Sequence, residues 1–212
     1  MNLRRLPGLA WEALLTELAL YRSLARWIAR RPDVPASATP IGYAQLVGPM
    51  LWLWIFGSAT EAVVVELLLR QTDAGWAEAI RLPLLVLGIW GVLWMLGMMA
   101  AYRVRPHLLT TERLRIRNSA RIFVDVPLDA VASIRTAEHE LPGIVRAVHL
   151  EDALLLVGVS SRTNLELVFT APTALRTSKG ETTVERVGLW VDDPRAVAAQ
   201  LRTKLTGMAS RH

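Results

Sequence analysis

The stretch LPLLVLGIWGVLWMLGMMAAY, residues 82–102, runs for 21 residues without a charged side chain. A second apolar stretch, LVGPMLWLWIFGSATEAVVVELLL, occupies residues 46–69. At a rise of about 1.5 Å per residue, helices of this length cross a hydrocarbon layer of about 30 Å. The two stretches therefore predict transmembrane helices, joined as an antiparallel hairpin by the short polar loop at residues 70–81.

Charge is distributed unevenly around this hairpin. The 212-residue chain has a net charge of +5 and a mean hydropathy of +0.32. Residues 46–102 have a net charge of −2, whereas residues 1–45 have +3 and residues 103–212 have +4. This partition excludes a disordered chain and an ordinary water-soluble domain. The absence of cysteine excludes disulfides and thiolate metal sites.

Basic residues next to the spans predict the orientation of the hairpin. Three arginines precede the first span closely, and six lie between Arg103 and Arg121, whereas the connecting loop has only Arg70 and Arg81. Cytoplasmic flanks are enriched in Lys and Arg, so both termini are expected in the cytoplasm. The 22 Arg against two Lys are typical of a GC-rich bacterial genome. We therefore expect a multi-pass protein of the bacterial inner (plasma) membrane.

The first span contains two acidic residues. Glu66 precedes Arg70 by four residues, which predicts an ion pair near the outer interface. Glu61 lies deeper, where an ionised carboxylate is costly. Three interpretations stay open for Glu61: it is protonated and hydrogen-bonded to Trp90, it pairs across a homo-oligomer, or it lines a proton or ion path. The last would make the chain an accessory subunit of a transport or ion-coupled membrane complex.

Small residues one helical turn apart predict close helix contacts. Ser58 and Ala62 form such a pair on the first span, as do Gly97 and Ala101 on the second. Small side chains let two helices approach closely in a membrane. The contacts would lie within the hairpin or between two copies of a homodimer.

Residues 1–45 comprise a predicted amphipathic helix and a proline-rich linker. In GLAWEALLTELALYRSLARWIARR, residues 8–31, one face is apolar and Arg22, Arg26 and Arg30 follow each other at intervals of four. Such a helix lies in the headgroup region of a membrane. Alternatively, its apolar face packs on the C-terminal domain or on a second subunit. The linker RRPDVPASATP, residues 30–40, leads to the first span.

Residues 103–212 predict a cytoplasmic domain of strands closed by one helix. Short runs rich in β-branched residues, separated by turn residues, are expected to form seven strands. These are residues 114–117, 122–126, 132–136, 144–150, 153–159, 164–170 and 184–191. In the final VDDPRAVAAQLRTKL, Asp192 or Asp193 is the expected N-cap and Pro194 the first helical residue. The pattern indicates a two-sheet barrel plugged by a helix.

The run HLLTTERLRIRNSARIFVDVPLDAVASIRT, residues 107–136, resembles the opening of bacterial pleckstrin-homology-like (PH-like) domains that follow a transmembrane hairpin. Those domains commonly begin with a Leu-Thr-x-x-Arg-Leu strand, followed by a hairpin and then Pro-Leu-x-x-Ile/Val. The residues that match are Leu109, Thr110, Arg113, Leu114, Pro127, Leu128 and Val131. Asn118-Ser119-Ala120 replaces the glycine often found in the first hairpin, and the loop at residues 171–183 is long. The resemblance implies a PH-like seven-stranded barrel with a C-terminal helix.

The sequence contains no pattern typical of an enzyme. None of the histidines His107, His139, His149 and His212 belongs to a metal-binding motif, and there is no phosphate-binding glycine loop or nucleophile elbow. We therefore expect neither catalysis nor a cofactor. Nucleic acid is not an expected partner either, because the arginines cluster beside the bilayer and lack interleaved aromatic residues.

Membrane lipids are the expected partner. Basic groups near an anionic leaflet contribute roughly 1 kcal/mol each to binding. The residues predicted to face anionic headgroups are Arg103, Arg105, Arg113, Arg115, Arg117 and Arg121. Within this set, Arg113, Arg115 and Arg117 alternate along one strand and would form a cationic stripe. The expected role is a scaffold or regulator that binds lipid headgroups or a membrane-protein partner.

Overall fold

The computed structural model describes residues 6–143 and 147–209, and it describes side chains from residue 11 to residue 208 outside that gap. Four helices lie in these ranges. They are α1 (Leu6–Ile28), α2 (Gly48–Arg70), α3 (Gly75–Val104) and α4 (Pro194–Ala209). Each corresponds to a helix that the sequence predicts. Helix α3 begins seven residues earlier than expected, so that only residues 71–74 separate it from α2.

Helices α2 and α3 are long and apolar enough to cross a membrane, with mean hydropathies of 1.6 and 2.1. Their large apolar side chains are mostly exposed; Leu53 and Phe56, for example, are 72% and 73% accessible. A soluble core helix would bury such residues, whereas a helix that faces lipid leaves them on its surface. The exposure therefore supports association with a membrane.

The contact between Ala62 and Gly88 sets the register of the hairpin. A Cβ atom added to Gly88 would lie 2.9 Å from the Ala62 Cβ, so the helices touch at this level. Because the helices are antiparallel, Met50, twelve residues before Ala62, lies level with Ala100, twelve residues after Gly88. At the other end, the carboxylate of Glu66 lies 3.2 Å from Arg81. Nineteen residues separate Arg81 from Ala100, which is about 29 Å of helix and matches the thickness of a hydrocarbon layer.

Helix α1 packs along α3 and runs in the same direction. Leu20 covers Gly97, where an added Cβ would lie 3.1 Å from the Leu20 Cβ. Leu20 also packs with Ala101 of α3 and with Ala120. The face that the sequence identifies as apolar points elsewhere, since Trp11 is 60% and Leu18 is 56% exposed. Thus α1 uses one face for α3 and leaves its broader apolar face uncovered.

The remaining chain folds into a mostly antiparallel sheet. Its strands are β1 (Thr39–Ile41), β2 (His107–Leu109), β3 (Arg113–Asn118), β4 (Ile122–Pro127), β5 (Val131–Arg135), β6 (His139–Glu140), β7 (Val148–Glu151), β8 (Leu154–Val157), β9 (Arg162–Thr163), β10 (Leu165–Thr177) and β11 (Gly180–Leu189). Nine of them form one sheet in the order β1-β2-β3-β4-β10-β11-β8-β7, with β5 also paired to β10. Strands β6 and β9 form a separate two-stranded ribbon.

This sheet is open, which differs from the closed seven-stranded barrel that the sequence and the PH-like resemblance predict. The strand order ends at β1 and β7, and within the described residues these two strands do not pair with each other. All seven predicted strands are present, although residues 144–146 of the fourth lie outside the described residues. The additional strands β1 and β2 extend the sheet at one edge instead of closing it. The coarser prediction, a sheet followed by one helix, is confirmed.

Two segments predicted as connections are strands instead. Pro40, in the proline-rich linker, pairs with Leu108 in β1, an edge strand where a missing N–H is tolerated. The predicted long loop at residues 171–183 is mostly a hairpin extension of β10 and β11, which turns at Ser178. Pro172 lies within the register shift of β10, as expected for a residue that cannot donate to the ladder.

Helix α4 covers the core of the sheet. Val197, Ala198 and Leu201 are buried in the same apolar cluster as Leu167 and Val187. Asp193 caps the helix by accepting a hydrogen bond from the Ala196 N–H at 3.0 Å, and Pro194 follows as its first residue. Asp192, the other predicted cap, instead accepts hydrogen bonds from the N–H groups of Ala44 and Gln45, which fastens the linker to the sheet.

Candidate anion-binding site at the helix ends

Three segments meet where α3 ends. The segment after α1 turns back along α3, and the Asp33 N–H donates to the Val104 carbonyl at 2.7 Å. This bond places the Asp33 carboxylate beside the last turn of α3 and below strand β3. The end of α1, the end of α3 and β3 each bring an arginine to this carboxylate.

Asp33 is the common partner of three arginines. Its carboxylate lies 2.6 Å from Arg26 Nη1, 3.5 Å from Arg105 Nε and 3.4 Å from Arg117 Nη1. Arg117 also donates to the Asp33 carbonyl at 2.8 Å. One carboxylate cannot neutralise three guanidinium groups, so this group of four residues has a net charge of +2. We call it the juxtamembrane arginine cluster.

Burial shapes the electrostatics of the cluster. Burial alone would raise the pKa of Asp33, but the positive charges of Arg117, Arg26 and Arg105 outweigh it and hold the pKa below its ordinary value. Burial also lowers the pKa of Arg117 and of Arg105. Arg117 is only 6% exposed, and its Nε atom is buried without a hydrogen-bond partner. Additional negative charge would therefore be favourable beside these groups.

A cavity of about 200 Å³ opens against the cluster. At roughly 30 Å³ per water molecule, it has room for a group the size of a phosphate. Within the part of the chain that the structure describes, the Arg22 side chain at its rim has no ion-pair partner. With Arg22 included, the cluster has a net charge of +3. The lining is Ala19, Arg22, Ser23, Arg26, Asp33, Arg105 and Ala120.

A second cavity, of about 430 Å³, adjoins the first and shares Arg26 with it. Arg30 and Arg31, just beyond the end of α1, are exposed on its rim. The Arg103 guanidinium lies 5.6 Å from the centre of the Trp27 ring, a cation–π contact. Both helices end here, and their exposed carbonyl groups favour cations in the last turn. The same place therefore gathers basic side chains from both helices.

Three of the six arginines predicted to face headgroups belong to these cavities or to the cluster. They are Arg103, Arg105 and Arg117. The other three lie farther along the hairpin of β3 and β4. Arg121 pairs with Glu12 of α1 at 2.7 Å, and Arg113 is exposed at the start of β3.

The predicted cationic stripe on β3 is largely neutralised. Arg115 makes two hydrogen bonds to Asp125, at 2.6 and 2.9 Å, and its guanidinium lies 5.2 Å from the Phe123 ring. Arg117 points to Asp33. Only Arg113 of the three has no carboxylate partner among the described residues. The stripe therefore offers far less free charge than the alternation of arginines indicates.

The sequence pattern predicts a helix at Arg22 and Arg26 and a linker at Asp33, and it indicates no site at these residues. One sequence signal does mark it, because Asp33 is the only acidic residue between Glu17 and Glu61 and follows Arg30 and Arg31 after a single proline. Nothing local shows that it meets Arg117, which is 84 residues away in the chain.

Glu61 lies near the middle of the span, exposed on α2, and no hydrogen bond or ion pair involves it in the described part of the chain. The interpretation that pairs it with Trp90 is not what the structure shows. The Trp90 indole donates instead to Glu17 of α1. Glu66 pairs with Arg70 at 2.7 Å as predicted, and with Arg81 in addition.

The small residues serve different contacts. Ala62 packs within the hairpin against Gly88, whereas Ser58 lines a groove between α2 and α3. Gly97 and Ala101 pack against Leu20 of α1. Ala62, Gly97 and Ala101 thus make close contacts with other helices of the same chain.

His107 is fully buried beneath the cluster and makes two hydrogen bonds. Its Nδ1 accepts from the Arg117 backbone N–H at 2.9 Å, so the proton lies on Nε2, which donates to the Trp190 carbonyl at 2.9 Å. Burial lowers the pKa of His107 to about 4, so the ring is neutral. His107 therefore supports the backbone of Arg117 and does not contribute charge.

Metal ligands do not converge elsewhere in the described chain, where no group of three or more His, Asp or Glu side chains could hold an ion. His139 pairs with Glu166 at 2.8 Å in the sheet.

Comparisons with family models, with curated proteins and with solved structures give no match to this chain.

Proposed function

We propose that this chain is a bacterial inner-membrane protein whose juxtamembrane arginine cluster binds the phosphate of anionic lipid headgroups. In this proposal α2 and α3 cross the membrane, the C-terminal half of α1 packs on the cytoplasmic half of α3, and the linker and the sheet domain face the cytoplasm. The sheet domain would then be held against the inner leaflet, where it acts as a scaffold or regulator of a membrane complex.

The observation that carries the proposal is the net charge of +3 around the first cavity. Arg26, Arg105 and Arg117 share the single carboxylate of Asp33, and Arg22, which also lines the cavity, has no ion-pair partner among the described residues. Phosphate oxygens accept charge-assisted hydrogen bonds from guanidinium groups, often two at a time. A bound phosphate would also bring the cluster closer to neutrality.

The position of the cavity supports a lipid as the source of that phosphate. Met50 lies level with Ala100 and is 59% exposed, which puts the apolar edge of the hairpin near this level. Arg105 follows Ala100 by five residues, about 8 Å along the helix axis. The headgroup region extends about 5–8 Å beyond the hydrocarbon on each side, so the cavity would open into it.

The test measures lipid binding by the full chain. Purified protein would be reconstituted in nanodiscs of neutral phosphatidylcholine, and binding of a fluorescent phosphatidylglycerol would be titrated. We expect the R22Q/R26Q variant to bind about 10- to 30-fold more weakly, because each basic group contributes roughly 1 kcal/mol. The matched control is R176Q/R195Q, which removes the same charge from two exposed arginines of the sheet domain. Equal losses in both variants would refute a specific site.

A second candidate function rests on Glu61. Its carboxylate is exposed near the middle of α2, beside a groove of about 240 Å³ that Gly88 and Gly91 of α3 also line. An added Cβ at Gly91 would meet nothing within 4 Å, so another helix could approach closely there. We propose, as the alternative, that this groove accepts a partner transmembrane helix with a basic residue at midmembrane depth. The chain would then be an accessory subunit of a transport or ion-coupled complex.

This alternative is tested with model helices. A polyleucine transmembrane peptide with one central lysine should associate with the wild type in bicelles and give a fluorescence-transfer signal. The E61Q variant should abolish the signal, whereas an all-leucine peptide should give none with either protein. Equal association of both peptides with wild type and E61Q would rule out charge recognition by Glu61.

A further inference from the structure

The two adjoining cavities point to a ligand with two phosphates. We propose that the site recognises a lipid whose two phosphate groups are joined by a short bridge, so that each cavity takes one phosphate. The inference rests on the proposed headgroup site and goes further, because it names the class of lipid that the site prefers.

The first phosphate would occupy the cavity lined by Arg22, Arg26 and Arg105. The unpaired Arg22 and the Ser23 hydroxyl lie at this cavity, and both can donate to phosphate oxygens. Ser23 Oγ already donates to the Ala19 carbonyl at 2.8 Å, so the Arg22 guanidinium is the freer donor. This cavity by itself is sufficient for a lipid with one phosphate.

The second phosphate would occupy the cavity lined by Arg30, Arg31 and Arg103. Arg30 and Arg31 are exposed, and no ion pair engages their side chains in the described part of the chain. Arg30 has φ of 54°, a left-handed conformation that turns the chain at the end of α1. This turn brings Arg31 and Pro32 to the rim of the same cavity as Arg103.

Arg26 connects the two cavities because it lines both. Arg22 and Arg26 lie four residues apart on α1, or about 6 Å along the helix axis, and Arg30 follows just beyond the helix end. A three-carbon bridge holds two phosphates at a similar separation. Because the two cavities share Arg26, one bridged molecule can place a phosphate in each, whereas a lipid with one phosphate can use only one of them at a time.

Apolar groups next to the cavities fit the acyl chains of such a lipid. Trp27 and Val104 line the second cavity, and Ala19 and Ala120 line the first. The same helix α1 also leaves an apolar face exposed, which includes Leu14 and Leu18. Charged and apolar contacts are therefore available together, as a lipid requires and a free phosphate does not.

The experiment compares cardiolipin with phosphatidylglycerol at equal phosphate concentration, using full-length protein in phosphatidylcholine nanodiscs. The second cavity would add two free arginines to the contact, each worth about fivefold in affinity. We expect cardiolipin to bind about 25-fold more tightly than phosphatidylglycerol. Inorganic phosphate, added to 10 mM, should compete poorly with either lipid because it lacks acyl chains.

The variant R30Q/R31Q separates the inference from the proposed function. It should remove the preference for cardiolipin and leave phosphatidylglycerol binding within twofold, while the R176Q/R195Q control changes neither. Equal affinities of wild type for both lipids, or a preference that survives R30Q/R31Q, would overturn the two-phosphate inference and leave the single-phosphate site standing. If neither lipid binds the wild type, both proposals fail.

Discussion

Neutral, buried His107 makes the stability of the sheet domain sensitive to mild acid. In the folded state burial holds the pKa of His107 at about 4, whereas an exposed histidine in the unfolded chain has a pKa of about 6.5. The unfolded chain therefore binds one proton more than the folded chain between these two values. The stability from this residue is complete above pH 6.5 and is lost as the pH falls towards 4.

The magnitude follows from the two pKa values. Protonation of His107 stabilises the unfolded chain relative to the folded chain by about 2 kcal/mol at pH 5 and by about 3 kcal/mol at pH 4. The His107→Gln variant removes the titration. Its amide nitrogen can still donate to the Trp190 carbonyl, but the acceptor for the Arg117 N–H is lost. The variant should be less stable at pH 7.5 and less sensitive to acid.

The assay is urea unfolding of the full chain in detergent micelles, followed by near-ultraviolet circular dichroism at pH 7.5 and pH 5. Other titrating groups are common to both proteins, so the difference between wild type and His107→Gln isolates this ring. We expect the wild type to lose about 2 kcal/mol more than the variant between the two pH values. Parallel losses in the two proteins would show that His107 is accessible to protons or charged in the fold.

Three further predictions concern packing, the cluster and orientation. Gly97→Leu should separate α1 from α3, because an added Cβ already lies 3.1 Å from the Leu20 Cβ. The separation is measured as the loss of disulfide formation between Ala19→Cys and Met98→Cys, introduced into this cysteine-free chain. The control variant Gly91→Leu should still form the disulfide. Asp33→Asn should destabilise the chain by about 1–2 kcal/mol, which is less than for a fully buried ion pair because Asp33 is about one-third exposed. A thermal midpoint unchanged from that of the wild type would show that the ion pairs of Asp33 do not stabilise the fold. In intact cells, a membrane-impermeant maleimide should label Asp73→Cys in the α2–α3 loop but not Ser178→Cys in the turn between β10 and β11; the reverse pattern would invert the proposed orientation.

Elements whose signal is local agree between sequence and structure. The two spans follow from their length and apolar composition, and α4 follows from the Asp193 cap and Pro194. The strands of the sheet follow from runs of β-branched residues. Each of these signals depends only on residues within one element, so no knowledge of the neighbours is needed.

Elements whose secondary structure depends on a distant partner differ between the sequence prediction and the structure. The proline-rich linker has no strand signal, yet residues around Pro40 pair with β2 because the sheet offers a free edge there. The loop expected before β11 is paired because β10 continues beside it. The number of strands and the openness of the sheet likewise depend on which edges find partners. Pairing between strands far apart in the chain cannot be deduced from the pattern of either strand alone.

The same division applies to the candidate site. The sequence by itself determined that arginines flank the spans on one side, because topology selects for basic residues there. It did not determine which of them are free. Arg115 is neutralised by Asp125 across a strand pair, whereas Arg105 and Arg117 meet Arg26 at one carboxylate.

Only the tertiary structure brings this cluster together, since Arg26, Asp33 and Arg117 come from a helix, a linker and a strand that touch only after α1 has packed on α3. The close approach at Gly97 makes that packing possible, and it also directs the Trp90 indole to Glu17 rather than to Glu61. Local composition places basic residues at one end of the helix hairpin, because each flanking segment contributes independently. A binding cavity needs charges held at fixed distances, and those distances arise from contacts between segments that are far apart in the chain.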